Sequence, residues 1–155
     1  MNPDKFLDTK PALVIEDYFS GKTRGWGIVF GRSGEVVKQF TVDIVGVWEG
    51  STLVLTEDFL YSTGATEQRV WTIKKLDEHT YNGTAHDVVG TAIGKQYGQA
   101  LNWNYVLDVP VGSSSYHIRF DDWMLLQPDG VLLNRAQMSK FGLSVGEVVL
   151  SFRKM

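Results

Sequence analysis

Four charged residues fall on strand faces that are otherwise apolar, and they are the chain's best candidates for chemistry. Side chains alternate across a strand with period two, so each face can be read from the sequence. Over residues 52–61 one face carries Leu53, Leu55, Glu57, Phe59 and Tyr61, and over 66–76 it carries Arg69, Trp71 and Ile73. Residues 79–89 give Tyr81, Gly83, Ala85 and Asp87, and residues 115–126 give Tyr116, Ile118, Phe120, Asp122, Met124 and Leu126. A carboxylate on such a face is costly unless it is paired, hydrogen-bonded or protonated. Two kinds of chemistry follow. One is a structural network in which arginines fork onto carboxylates and fix register, with Arg69 or Arg135 as the expected partner of Asp122. The other is a lumen whose few polar groups orient a small molecule, where a carboxyl of raised pKa works as an acid or base.

Residues 100–110 add Trp103, Tyr105, Leu107 and Val109 to the presumed inner wall. The candidate ligand contacts are therefore Glu57, Phe59, Tyr61, Arg69, Trp71, Asp87, Trp103, Tyr105 and Asp122, together with Arg135. Arg135 shares a face with Val131 and Leu133, but Leu132, Ala136 and Met138 support the opposite choice nearly as well. The histidines form no constellation. His86 and Asp87 are adjacent and point to opposite faces, His117 lies with Arg119 and Asp121 on a polar face, and His79 is near a turn. No HxH, HExxH or carboxylate-rich loop predicts a metal, and no phosphate loop, dinucleotide glycine motif or GxSxG elbow predicts a cofactor or a hydrolase.

The elements that must position these groups are strands. From Arg24 onward, Val, Ile, Thr and aromatic residues come in short alternating runs separated by Gly, Ser, Asp and Asn. The pattern predicts strands at about 25–31, 35–48, 52–61, 66–76, 79–89, 91–96, 100–110, 115–126, 131–139 and 146–154. Tight turns are expected at Arg32-Ser33-Gly34, Gly50-Ser51, Ser62-Thr63-Gly64, Asp77-Glu78, Gly112-Ser113-Ser114 and Gln127-Pro128-Asp129-Gly130. Short links exclude parallel crossovers, so the strands follow one another antiparallel, and closure removes exposed edges. The expectation is an all-β, antiparallel up-and-down β-barrel of about 8–10 strands with a short N-terminal helical turn. It forms one domain over residues 1–155, of which 1–18 are an N-terminal arm. Gly90, Gly94 and Gly98 are expected to mark a bend or close backbone approach, with a short helix as the other option. Trp123, on the polar face, is expected to pack beneath the arm or, as the other option, to mark a contact surface.

Composition sets outer bounds. At 155 residues, 43% hydrophobic and 21% charged, the chain is an ordinary globular domain. A net charge of -3 argues against a general nucleic-acid binder. There are no cysteines, which removes disulfides, thiol catalysis and cysteine metal sites. No stretch approaches the apolar length of a membrane helix, and the N-terminus lacks a signal-peptide pattern. The sequence as it stands is expected to be cytoplasmic, or periplasmic or envelope-associated if a leader has been removed from it.

The runs Phe40-Thr41-Val42-Asp43-Ile44, Arg69-Val70-Trp71, Gly83 to Gly90, Phe120-Asp121-Asp122-Trp123-Met124, Asn134-Arg135 and Met138-Ser139-Lys140-Phe141-Gly142 resemble an uncharacterised bacterial family. It is domain-of-unknown-function family 3833, many of whose members are described as lipoproteins. The resemblance runs from about Phe19 to the C-terminus and implies no activity. The chain is also similar, more distantly, to lipocalin-like barrels, in which a first-strand Trp is stacked by an Arg from the last strand. Trp26 and Arg153 would take those parts, although Arg24 stands where that pattern has glycine. The expected function is a lipocalin-like barrel binding a small, partly apolar or lipid-like ligand. The alternatives are a cofactor-independent isomerase or lyase using interior carboxylates, and an envelope-associated structural or interaction protein with a solid barrel.

Overall fold

A computed structural model describes residues 1–155. Ten antiparallel strands close into one barrel in sequence order, the last returning to pair with the first. They are β1 (Gly21–Gly31), β2 (Val36–Glu49), β3 (Thr52–Tyr61), β4 (Thr66–Lys75) and β5 (Thr80–Thr84). The second half comprises β6 (Ala92–Tyr97), β7 (Ala100–Val111), β8 (Ser114–Leu126), β9 (Leu132–Lys140) and β10 (Leu143–Lys154). Every pairing is between chain neighbours except β1 with β10, as the short polar turns require. Closure leaves no free edge on which another strand could add.

One strand is shorter than its pattern predicts. The run expected over 79–89 leaves the sheet after Thr84, and only an isolated Val88–Leu107 bridge follows. Residues 85–91 instead turn back over the upper part of β7, where Val89 N–H donates to Val106 and Asp108 N–H donates to the Asp87 carbonyl. The turn, not a strand, therefore carries Asp87. Of the spaced glycines, Gly94 lies against the Trp103 ring and Gly98 against the Phe6 carbonyl, the close approach that their spacing suggested.

The barrel has two unlike ends. Hairpins β1–β2, β3–β4, β5–β6, β7–β8 and β9–β10 surround one end. The other is closed by the segment Leu13–Phe19, which includes the single helical turn Ile15–Tyr18. Leu13, Ile15, Tyr18 and Phe19 are buried in the main core cluster with Val42, Ile44, Leu55 and Phe152. Burying such side chains contributes roughly 1.5–3 kcal/mol each, which is why so short a helix holds its place. Polar bonds fix it further. Tyr18 Oη donates to the Gly130 carbonyl at 2.8 Å, and Lys154 Nζ donates to the carbonyls of Asp17, Tyr18 and Ser20. Glu16, buried within the plug, accepts from Tyr81 Oη at 2.6 Å and from Lys75 Nζ at 2.5 Å. Its pKa is lowered: burial opposes the charge, but these two partners outweigh it.

Gly46 permits the plug to seat. A Cβ there would lie 1.7 Å from the Phe19 carbonyl oxygen, so only glycine lets the plug backbone approach β2 this closely. Before the plug, the 3-10 turn Pro3–Phe6 lies outside the wall near β6 and β7, and Phe6 sits over Trp123 with ring centroids 6.0 Å apart. Trp123 is thus covered by the arm, as expected. Both chain ends lie at the plugged end, where Met155 N–H donates to Lys22.

Candidate functional site

Inside the barrel, between the plug and the hairpin end, is a cavity of about 520 Å³. Of its 35 lining residues 26 are hydrophobic, so its few polar groups stand out. The lumen is open, which removes the solid-barrel expectation. Its wall is aromatic through the middle: Tyr105 stacks on Phe120 at 5.1 Å, Trp71 meets Tyr105 edge-on at 5.5 Å, and Trp71 and Trp103 stack at 6.3 Å. Nearer the mouth, Phe40 packs against Phe59 and Tyr61. Such pairs prefer these offset and edge-on geometries and make a wall that holds its shape.

Register places the charged groups at middle depth. Glu57 on β3 lies opposite Arg69 on β4, and Asp122 on β8 lies opposite Trp103 on β7 and Ala136 on β9. The Arg69 guanidinium forks onto Asp87: Nε donates to both carboxylate oxygens at 3.1 Å and a terminal nitrogen donates to Oδ2 at 2.8 Å. Glu67 Oε1 lies 3.6 Å from that same terminal nitrogen, and the Phe59 ring lies 5.4 Å from the guanidinium carbon. Burial works against the charged form of Asp87, but Arg69 outweighs it and holds the carboxyl below the usual range.

Asp122 is satisfied without a cation. Tyr105 Oη donates to Oδ2 at 2.8 Å, and Asn134 Nδ2 donates to Oδ1. Asn134 also donates to the Trp123 carbonyl at 2.9 Å, and Asn102 Nδ2 to the Asp122 carbonyl at 3.2 Å. Burial raises the Asp122 carboxyl to about 6, against the opposing pull of Tyr105 and Asn134. Burial also raises the Tyr105 phenol, with the Asp122 charge acting in the same direction. Glu57 is the least satisfied of the group. It makes no ion pair, and its one donor is a weak contact from Trp71. Burial pushes it up to about 7, opposed by Arg69 and reinforced by Asp122 and Asp87.

Glu57, Phe59, Tyr61, Arg69, Trp71, Asp87, Trp103, Tyr105 and Asp122 all line this one cavity. Arg135 does not. It lies on the outer face, 61% exposed in its side chain, with Nε 2.6 Å from Glu147 Oε1. The inward set of β9 is Leu132, Asn134, Ala136 and Met138, because these are the residues that pack or hydrogen-bond into the lumen. The expected arginine partner of Asp122 is therefore replaced by Asn134 and Tyr105. Asn134 follows by alternation from Leu132 and Ala136, so the sequence carried its signal. Glu16 had none, because the plug is not a periodic element. Trp26 is 43% exposed on the outer wall opposite Ser151, and Arg153 faces Arg24, so register does not place Arg153 directly opposite Trp26. No group of His, Asp and Glu side chains is arranged to hold a metal ion.

Fold and site together define a closed ten-stranded β-barrel, plugged at one end, with an aromatic lumen and a buried cluster of carboxyls around one arginine. The chain belongs to the DUF3833 family, described as a protein of unknown function, whose model matches residues 1–154. No curated protein matches it. No helix is long and apolar enough to cross a membrane.

Proposed function

We propose that the protein binds a small, partly apolar molecule in its lumen. The observation that carries this reading is the open, mostly hydrophobic cavity of about 520 Å³ with polar groups confined to its middle. That size and composition fall within the range of roughly 300–1,000 Å³ usual for small-molecule sites. A barrel needing only stability would fill this space, because unfilled volume forfeits packing.

Trp71 and Trp103 line the cavity, so their fluorescence reports occupancy. Titration with apolar-tailed compounds of differing head groups should shift the emission and saturate. Ala136→Phe, which adds a ring to the lumen wall, should abolish the change while leaving the fold intact by circular dichroism. If no compound alters the emission, or if Ala136→Phe binds as well as the wild type, the reading fails.

A second reading is favoured by the two raised carboxyls, Glu57 and Asp122, which face the same cavity. A carboxyl poised near neutrality suits general acid or base work, and the lumen then belongs to a cofactor-independent isomerase or lyase. In that case Glu57→Gln abolishes turnover while ligand binding survives.

A further inference from the structure

The charged groups of the lumen do more than make it polar; they discriminate among head groups. We propose that the lumen selects amphiphiles whose head is a protonated amine seated against Glu57, and turns away those with a carboxylate head. This rests on the reading of the cavity as a ligand site, and deepens it.

The usual anchor for a carboxylate would be the arginine, but most of the Arg69 guanidinium is already engaged. Nε and one terminal nitrogen make three hydrogen-bond contacts to Asp87, that same nitrogen lies 3.6 Å from Glu67, and the group lies over Phe59. Displacing Asp87 would leave a partly buried carboxylate without its partner, which is costly. Asp122 has both oxygens engaged by Tyr105 and Asn134. Glu57 is left with an open carboxyl facing the cavity.

The balance of charge points the same way. Facing Glu57 are Arg69 from β4, Asp87 from the β5–β6 turn, Tyr105 from β7 and Asp122 from β8. One cation is set against three carboxyl groups. Each added negative charge is repelled across a low-dielectric interior, which is why Asp122 and Asp87 both push the Glu57 proton affinity up. A carboxylate head would add to that repulsion. An ammonium head relieves it. The lining lysine, Lys38, lies over Tyr61 on a different strand and does not neutralise Glu57.

The test uses three eight-carbon probes: octylamine, octanol and octanoate, titrated into the full chain by calorimetry at about pH 8, where the raised carboxyls are ionised. The amine should bind roughly tenfold or more tighter than octanol, and octanoate weaker than both. Glu57→Gln should bring the affinity for the amine close to that for octanol. In the wild type the amine preference should shrink towards about pH 5, as Glu57 and Asp122 take up protons. If octanol binds but octanoate equals or exceeds octylamine, or if Glu57→Gln keeps the amine preference, the inference is overturned and the ligand-site reading stands. If none of the three binds, both fall.

Discussion

Replacing Asp122 by asparagine should stabilise the protein at neutral pH, although it removes a charged residue from a hydrogen-bonded site. The Asp122 carboxyl is raised from 3.8 to about 6. A folded-state pKa above the unfolded value means that the folded protein holds its proton more tightly. The corresponding stability is present below the unfolded pKa and is lost as pH rises through the folded one. A shift of about two units corresponds to roughly 3 kcal/mol. Asparagine carries no titration and still offers Tyr105 an acceptor oxygen, while Asn134 keeps its bond to the Trp123 carbonyl. Asp122→Asn and the wild type should therefore unfold at similar urea concentrations near pH 4. The difference should then grow to about 3 kcal/mol in favour of the variant by about pH 8. The Asp122 charge also pushes the Glu57 carboxyl up, so its removal relieves Glu57 as well and widens the difference in the same direction. Asp122→Ala, which leaves the Tyr105 hydroxyl and Asn134 amide without that acceptor, should instead lose about 2–4 kcal/mol. A difference between wild type and Asp122→Asn that stays flat with pH, or an asparagine variant weaker at neutral pH, would refute the reasoning.

Two further expectations concern the plug. Gly46→Ala should cost about 2 kcal/mol or more, because its Cβ has no room beside Phe19, whereas Val45→Ala on the outer face should change stability by about 0.5 kcal/mol or less; equal urea midpoints would contradict the close approach. Glu16→Gln should cost about 1–2 kcal/mol at neutral pH and speed amide exchange at Asp17, Tyr18 and Phe19. Because the Glu16 pKa is lowered, its contribution is present above the unfolded value and lost as pH falls through the folded one. A loss that persisted undiminished at acid pH would show that the ion pair is not its source.

The strands were legible because a barrel wall has one buried and one wet face, and alternation survives wherever both conditions hold. That is why nine of the ten candidate contacts meet in one lumen. The exceptions have physical causes. On β9 the outer face carries Leu133 and the inner face carries Asn134, so polarity alone did not decide direction and Arg135 remained ambiguous. Asp87 reached the lumen although its strand had ended, since the turn that carries it is held by backbone bonds to β7, which leave no mark on composition. The plug was read as a helical turn, but its role came from contacts with distant strands. A face with alternating polarity can be read locally; a lid cannot.

The placement of both chain ends at the plugged end has a practical consequence. A molecule attached to a surface or fused to a reporter through either terminus would hold its mouth away from the attachment and leave the entrance clear. Residues inserted at the Ser62-Thr63-Gly64 turn would instead hang beside the opening, where a dye could register traffic in and out of the barrel. The two orientations allow entry at the mouth to be measured separately from any leak through the plug.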